Sequence, residues 1–364
     1  MTDRGRVAGS LYGLLAGDAL GCPVEGWSPE EIRARYGTLD AMEVATGRWR
    51  PAGLHSDDGQ QAMALCDALL EDPDAPEAPF ARILVEVYEA GPTGRRSCGG
   101  HRGPGGNFRD TVRGLAGAWR ADPWCASKVT AGNGLAMLVA PAAWRFPTDR
   151  ARRDEAIVRA GRVKSRDLRA FAGAVAVAEV VAHGVRHGEA PLDPAALVAA
   201  VREGEDVAAR ALRSAAHLRT FSDALADALA ELPRGREAAL ARVCARAAES
   251  SERPVEPGAA YVLASGITSV LVALAAPSFG RAVVDVVALG GDADTTGAMV
   301  GAMAGARFGL DGIPAPWLRD LVARGAFDDR VDALCGDPDA RRWRPPRRLA
   351  DLERAWTATL YAAR

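Results

Sequence analysis

A chain of 364 residues, 48% hydrophobic and 25% charged, can bury a substantial core and has the profile of a soluble globular protein. Its formal net charge of −2 excludes a global electrostatic pull toward nucleic acid or membrane. The six cysteines form no Cys-x-x-Cys pair, which excludes a zinc ribbon or thiol redox motif.

Basic charge is almost all arginine, Lys128 and Lys164 being the only lysines. The opening Met-Thr-Asp-Arg-Gly-Arg lacks the apolar core of a secretory signal, so a cytoplasmic location is expected. No apolar run of about 18 residues is free of Gly, Pro or charge, and no bilayer span is expected.

In chain order, Arg4 to Leu20 predicts a helix of small residues. Gly9, Gly13 and Gly17 recur at every fourth position and form one smooth face suited to a close helix contact. A turn through Cys22, Pro23, Val24 and Glu25 follows. Ser28-Pro29-Glu30-Glu31 then has the residues of a capped helix start. Glu25 alone would be an ordinary surface carboxylate; its Gly/Pro-framed turn after a buried helix makes it a candidate.

Residues 37–54 are irregular and lead into Ser56-Asp57-Asp58-Gly59-Gln60, at the start of a helix running to about Leu70. A hydroxyl and two carboxylates at a helix start are explained by capping when they stand alone. A helix from Phe80 to about Ala90 precedes a glycine-rich loop, Gly91 to Asn107, containing Gly103, Gly105 and Gly106. That loop is long for a bare connection and its amides could approach a phosphate closely. No Gly-x-x-x-x-Gly-Lys-[Ser/Thr] pattern is present, which excludes a nucleoside triphosphatase P-loop.

A helix from about Phe108 to Arg120 comes next. Gly132-Asn133-Gly134 reads equally as a tight turn or as an anion seat at a helix start. From Asp154 through Arg166 to His183 the pattern is helical. His183 and His187 stand four apart without the glutamate of a metalloprotease helix, and a solvated helix end is the better reading. Residues 186–257 read as two or three peripheral amphipathic helices. Ala259 to Leu274 is a small apolar helix, and Ser278 caps another that delivers the chain to Gly290.

The densest chemistry is in Gly290-Gly291-Asp292-Ala293-Asp294-Thr295-Thr296, followed by a helix of Gly, Ala, Met and Val to Ala306. A helix so slim can sit deep in the protein and carry its acidic N-terminus inward. Capping would explain one of these four oxygen-bearing side chains, not all of them. Ser56, Asp57, Asp58, Asp292, Asp294 and Thr295 together offer only oxygen ligands, which suits hard cations: Mg²⁺ first, Mn²⁺ close behind. Six such groups exceed the needs of one ion and match two, roughly 3.5–4 Å apart. With no strand pattern and two distant clusters in one site, the expectation is a single all-α domain over 1–364, with an Arg-rich C-terminal extension, 326–364.

Four motifs in order also resemble the ADP-ribosylglycohydrolases, relatives of dinitrogenase-reductase-activating glycohydrolase and of the ADP-ribosyl-acceptor hydrolases. They are Gly17-Asp18-Ala19-Leu20-Gly21-Cys22-Pro23-Val24-Glu25, Ser56-Asp57-Asp58-Gly59-Gln60, Gly132-Asn133-Gly134-Leu135-Ala136-Met137 and Gly290 to Thr296. They lie within a stretch from about residue 8 to 325. The resemblance implies an all-α fold holding two Mg²⁺ ions and cleaving the bond at ribose C1″ of an ADP-ribosylated protein or small-molecule acceptor. It implies metal ligation by Ser56, Asp57, Asp58, Asp292, Asp294 and Thr295, and acid–base work by Glu25 or Asp58. Gly132, Asn133 and Gly134 would line the diphosphate site, with amides from Gly103 and Gly105. Two departures stand out: Gly59 replaces the family's usual Thr, and Ser165, in Lys164-Ser165-Arg166-Asp167, replaces its His. A non-catalytic ADP-ribose-binding protein and another binuclear-metal hydrolase, such as a phosphatase, are the alternatives. Acceptor identity and oligomeric state are not legible in the sequence.

Overall fold

The computed structural model describes residues 3–46, 50–94, 97–337 and 340–362; the expected loops extend into 47–49 and 95–96, which lie outside the described residues. Among the described residues there is no strand, only four isolated β-bridges, so the expected all-α class holds. The first third of the chain carries α1 (Arg4–Gly21), α2 (Pro29–Tyr36), α3 (Asp57–Glu71), α4 (Glu77–Glu89) and α5 (Gly106–Ala118). The middle carries α6 (Ala140–Arg145), α7 (Arg150–Gly161), α8 (Leu168–His187), α9 (Pro194–Leu212), α10 (Thr220–Glu231) and α11 (Arg236–Ser251). The last third carries α12 (Val262–Ala275), α13 (Phe279–Val287), α14 (Ala293–Phe308), α15 (Ala315–Asp320), α16 (Asp328–Leu334) and α17 (Leu349–Ala362).

The centre of the molecule is the antiparallel pair α1 and α14. Val7 to Gly21 and Ala293 to Ala306 are buried throughout. The glycine face of α1 meets a matching face on α14. A Cβ at Gly9, Gly13 or Gly17 would overlap the carbonyl oxygen of Gly305, Gly301 or Gly297, and Cβ atoms on those three would overlap carbonyls of α1 in return. Only glycine permits this backbone approach, and it sets the last turn of α1 beside the first turn of α14. Helices α8, α12 and α13 pack around α14, while α9, α10 and α11 form the outer layer expected for 186–257. α1 with its following turn, and α8, are long and apolar enough to cross a bilayer, but both lie inside this core.

Local sequence explains most boundaries. Ser28 and Glu31 form the expected reciprocal capping box of α2, and Ser278 caps α13. One expectation is corrected and one open pair of readings is decided. The helical run from Asp154 to His183 is broken between α7 and α8, where Lys128 N–H donates to Lys164 O (3.2 Å) and Arg166 N–H to Lys128 O (2.7 Å). Asp167 then caps α8, accepting from Arg169 N–H. The break turns Lys164 and Ser165 toward the cleft described below. Gly132-Asn133-Gly134 is not a helix start; it is a turn leading to the short 3₁₀ segment Ala136–Leu138.

Candidate active site

The two acidic motifs meet. Thr295 Oγ1 donates to Asp58 Oδ1 at 2.8 Å across 237 residues of sequence. Ser56 Oγ donates to Asp58 Oδ2 at 2.8 Å and accepts from Asp58 N–H at 3.1 Å, capping α3. Asp292 is the first residue before α14 but makes no side-chain cap. Its carboxylate instead accepts from Asn133 Nδ2 at 2.7 Å. Capping therefore accounts for Ser56 and leaves the carboxylates for other work.

The delivery of Asp292 depends on two glycines. Gly290 and Gly291 have φ of 67° and 68°, a region that side-chain-bearing residues rarely adopt. Gly26 N–H donates to Gly291 O (2.7 Å) and Gly291 N–H to Trp27 O (2.9 Å), which ties the Glu25 turn to the start of α14. Asp292 N–H bonds Gly258 O at 2.7 Å.

These groups floor a cleft of about 380 Å³, within the size range of small-molecule sites. Glu25, Asp57, Asp58, Asp292, Asp294 and Thr295 line it, as do Gly103, Gly105, Gly132, Asn133 and Gly134. Ser56 is wholly buried behind Asp58 and does not line the cleft. Of the two readings of Gly132-Asn133-Gly134, the geometry favours the turn. Gly134 O accepts from Lys164 Nζ (2.5 Å) and Asn133 donates into the acidic floor, so this turn presents no helix dipole. Three helix starts open on the cleft, and that of α5 differs from the acidic starts of α3 and α14: it has no carboxylate in its first turn, Gly105 provides no side-chain cap, and Gly105, Gly106 and Asn107 line the wall. Uncapped amides there, with the helix dipole, favour an anion.

Electrostatics mark the floor as a place for positive charge. Burial, then the charges of Asp18, Asp57 and Asp292, push Asp58 well above the usual carboxylate range. Asp294 is raised in the same way, by burial and then by Asp58, Glu25, Asp292 and Asp18. Asp57 is pushed up to about 7, chiefly by burial, with Lys164 opposing. Lys164 itself is lowered to about 8 by burial against the attraction of Asp57 and Asp58. Mutual repulsion among buried carboxylates is relieved by protons or by cations, and an all-oxygen donor set fits a hard divalent ion.

Asp18 was missed as a site residue, although it stands in the N-terminal motif. It is fully buried, and its two oxygens accept from Ser56 N–H (2.8 Å) and Gly59 N–H (2.9 Å), so it holds the first turn of α3 against α1. The readable signal was a carboxylate on the otherwise small and apolar α1. Asp18, Cys22 and Asp294 bring ligand atoms within 4.8 Å of one another. Burial raises the Cys22 thiol well above its usual value, and Asp18 is already engaged by backbone amides, so both are braces in this arrangement. Arg50, also missed, is buried with a guanidinium donating to Cys22 Sγ. It lies next to Gly103, where a Cβ would meet the Arg50 Nη2.

The departure at Gly59 has a packing cause. A Cβ there would stand 2.6 Å from Leu15 Cδ2 and 2.7 Å from His55 Cδ2, so those side chains occupy the space a threonine would need. Ser165 lines the cleft and donates to Thr130 O at 3.0 Å. His183, half-buried near the C-terminal end of α8, donates from Nε2 to Ala190 O at 2.8 Å, and His187 beyond it is exposed, in keeping with a solvated helix end.

An all-helical domain with a central cleft floored by two converging acidic motifs defines an acidic-centre class of α-helical protein. The chain belongs to the ADP-ribosylglycohydrolase family, whose model matches residues 1–345. It is 30% identical over 338 residues to an uncharacterized protein of Archaeoglobus fulgidus, covering 89% of this chain and 94% of that one. It is 28% identical over 350 residues to the uncharacterized protein YegU of Escherichia coli K12, covering 89% and 93%. A 59-residue segment is 44% identical to the ADP-ribosyl-[dinitrogen reductase] glycohydrolase of Rhodospirillum rubrum, covering 16% of this chain and 20% of that enzyme. A solved structure titled an ADP-ribosylglycohydrolase-related protein complex superposes with a TM-score of 0.63 at 24% identity, covering 91% and 97%, and shares the fold.

Proposed function

We propose that the protein is a Mg²⁺-dependent hydrolase that cleaves the glycosidic bond at ribose C1″ of an ADP-ribosylated acceptor and releases ADP-ribose. The observation that carries this reading is the junction of Thr295 and Asp58 at 2.8 Å, which merges the two acidic motifs into one cleft floor. Asp57, Asp58, Asp292, Asp294 and Thr295 would hold two divalent ions, with Ser56 behind them orienting Asp58 and Mn²⁺ an acceptable substitute. Bound there, such ions supply fixed positive charge for ribose hydroxyls and lower the pKa of water.

The chain's own groups divide the remaining work. The α5 start at Gly105 and Gly106 accepts the diphosphate, with Gly132 to Gly134 on the same wall. Asn133, held by Ser265 Oγ (3.2 Å) and Asp292, fixes that wall to the floor. Both oxygens of Asp58 are engaged by hydroxyls and the residue is buried, while Glu25 lines the cleft at intermediate burial, within reach of water. Glu25 is therefore the group that moves a proton to or from the water and leaving group, while Asp58 orients.

The test is release of free ADP-ribose from a panel of ADP-ribosylated acceptors with Mg²⁺, Mn²⁺ or EDTA. Asp292→Ala and Asp294→Ala should each lower turnover at least about a hundredfold, and Glu25→Gln should lower kcat by about 10²–10⁴ with the fold intact. Undiminished release in the aspartate variants overturns the metal-centre reading, and phosphate release in place of ADP-ribose indicates a phosphatase.

A further inference from the structure

Helix α17 begins at Leu349, beyond the 1–345 match to the family, yet one of its side chains bonds to residues one layer behind the cleft. Glu353 is fully buried. Its Oε1 accepts from His55 Nε2 at 3.0 Å, and its Oε2 accepts from Gln60 Nε2 at 3.0 Å and pairs with Arg102 Nη1 at 2.5 Å. Each partner is joined to a segment that lines the cleft. His55 directly precedes Ser56, and Gln60 lies in the first turn of α3. Arg102 O accepts the Asp57 N–H at 2.8 Å, and the next residue in the chain is Gly103. Arg102 also donates through Nε to His55 O (2.9 Å) and through its backbone N–H to Gln60 Oε1 (3.0 Å). Three residues on, Trp356 packs edge-on against His55, with ring centroids 5.7 Å apart.

We propose that Glu353 is a positioning residue of the acidic centre: docking of α17 sets the Ser56-Asp57-Asp58 turn and the Gly103–Gly106 wall in register with each other. A neutral side chain at this point leaves the Arg102 guanidinium buried without its counter-charge, and an amide cannot accept from all three donors. The two walls then lose the carboxylate that both are bonded to. Partners one layer behind metal-holding groups characteristically control affinity at the site. The inference rests on the reading of Asp57 and Asp58 as cation ligands.

The test compares full-length wild type, Glu353→Gln and Leu352→Ala for Mn²⁺ affinity by calorimetry and for hydrogen exchange over 55–61 and 99–106. Leu352 is buried on the same helix and has no polar side-chain atom with which to join the carboxylate network. Glu353→Gln should weaken Mn²⁺ binding by about 10–100-fold and speed exchange in both segments, with helical circular dichroism retained. Leu352→Ala should lower Tm while Mn²⁺ affinity stays within about twofold, the behaviour of a change that costs stability only. The double variant Arg102→Met/Glu353→Met removes both charges together, so it folds without a stranded guanidinium and should lose the same affinity. Wild-type affinity in Glu353→Gln, or an equal loss in Leu352→Ala, overturns the proposal. A wild-type protein that binds no divalent ion overturns the metal-centre reading as well. Wild-type binding lost in Glu353→Gln, without ADP-ribose release from any acceptor, upholds the positioning role while the hydrolase reading fails.

Discussion

At the scale of the residue, the acidic floor is costly without a cation, and that cost depends on pH. Asp57 titrates near 7 in the fold against about 3.9 in an unfolded chain, and Asp58 and Asp294 are also raised. Between those values the folded state binds more protons, so the stability these carboxylates contribute is present at low pH and is lost as pH rises through the folded value. His101 works in the opposite sense, since burial lowers it to about 4, but above about pH 6.5 that contribution is complete. In EDTA, Tm should therefore fall between about pH 6.5 and pH 8, and Mg²⁺ should raise Tm more at the upper end. Thermal unfolding with and without Mg²⁺ checks this; a Tm in EDTA that climbs over the same window counts against an uncompensated acidic floor. Glu353 shows the contrary balance within the same chain. Burial would raise it, but Arg102 and His55 hold it down to about 2.

At the scale of the element, the molecule depends on how closely α1 and α14 approach. The spacing of Gly9, Gly13 and Gly17 made one half of that contact legible in the sequence, and Gly297, Gly301 and Gly305 supply the other half. Gly301→Ala places a methyl group into the carbonyl of Gly13, where only backbone movement can relieve it. It should cost about 3 kcal/mol, the upper range for overpacking, and lower affinity for divalent ions because the displaced α14 carries Asp292 and Asp294. Urea titration and a Mn²⁺ titration of the same variant measure both effects; a fully stable variant would show that the helices can separate at no cost. The break between α7 and α8 was not legible, because Asp154 to His183 keeps helical spacing through it. The pairing of Lys128 with residues 164 and 166 overrides local propensity there.

At the scale of the whole molecule, closure is performed by the C-terminal region. Arg330 is fully buried and forms a two-pronged pair with Asp67 of α3, Nε to Oδ1 at 2.8 Å and Nη2 to Oδ2 at 3.0 Å. Arg330→Ala strands the Asp67 carboxylate and should cost about 3–5 kcal/mol in chemical denaturation. A loss below about 1 kcal/mol would mean that the pair is dispensable. Glu353 ties the same region to the cleft, so α16 and α17 are both braced on α3, the helix that begins at Ser56.

Taken alone, the sequence determined the all-α class, the slim central helix and the set of oxygen donors, because small-residue spacing and side-chain chemistry are local properties. It also marked Glu25, through its Gly/Pro-framed turn. The tertiary structure decided what local pattern cannot encode. It showed that the start of α5 joins those of α3 and α14 on the cleft, that Asp18 braces α3, that Lys164 turns toward Asp57, and that a carboxylate nearly three hundred residues beyond Ser56 is bonded to its neighbour His55. Each of these depends on a partner distant in the chain, and a buried charge reveals its role only through the group that neutralises it.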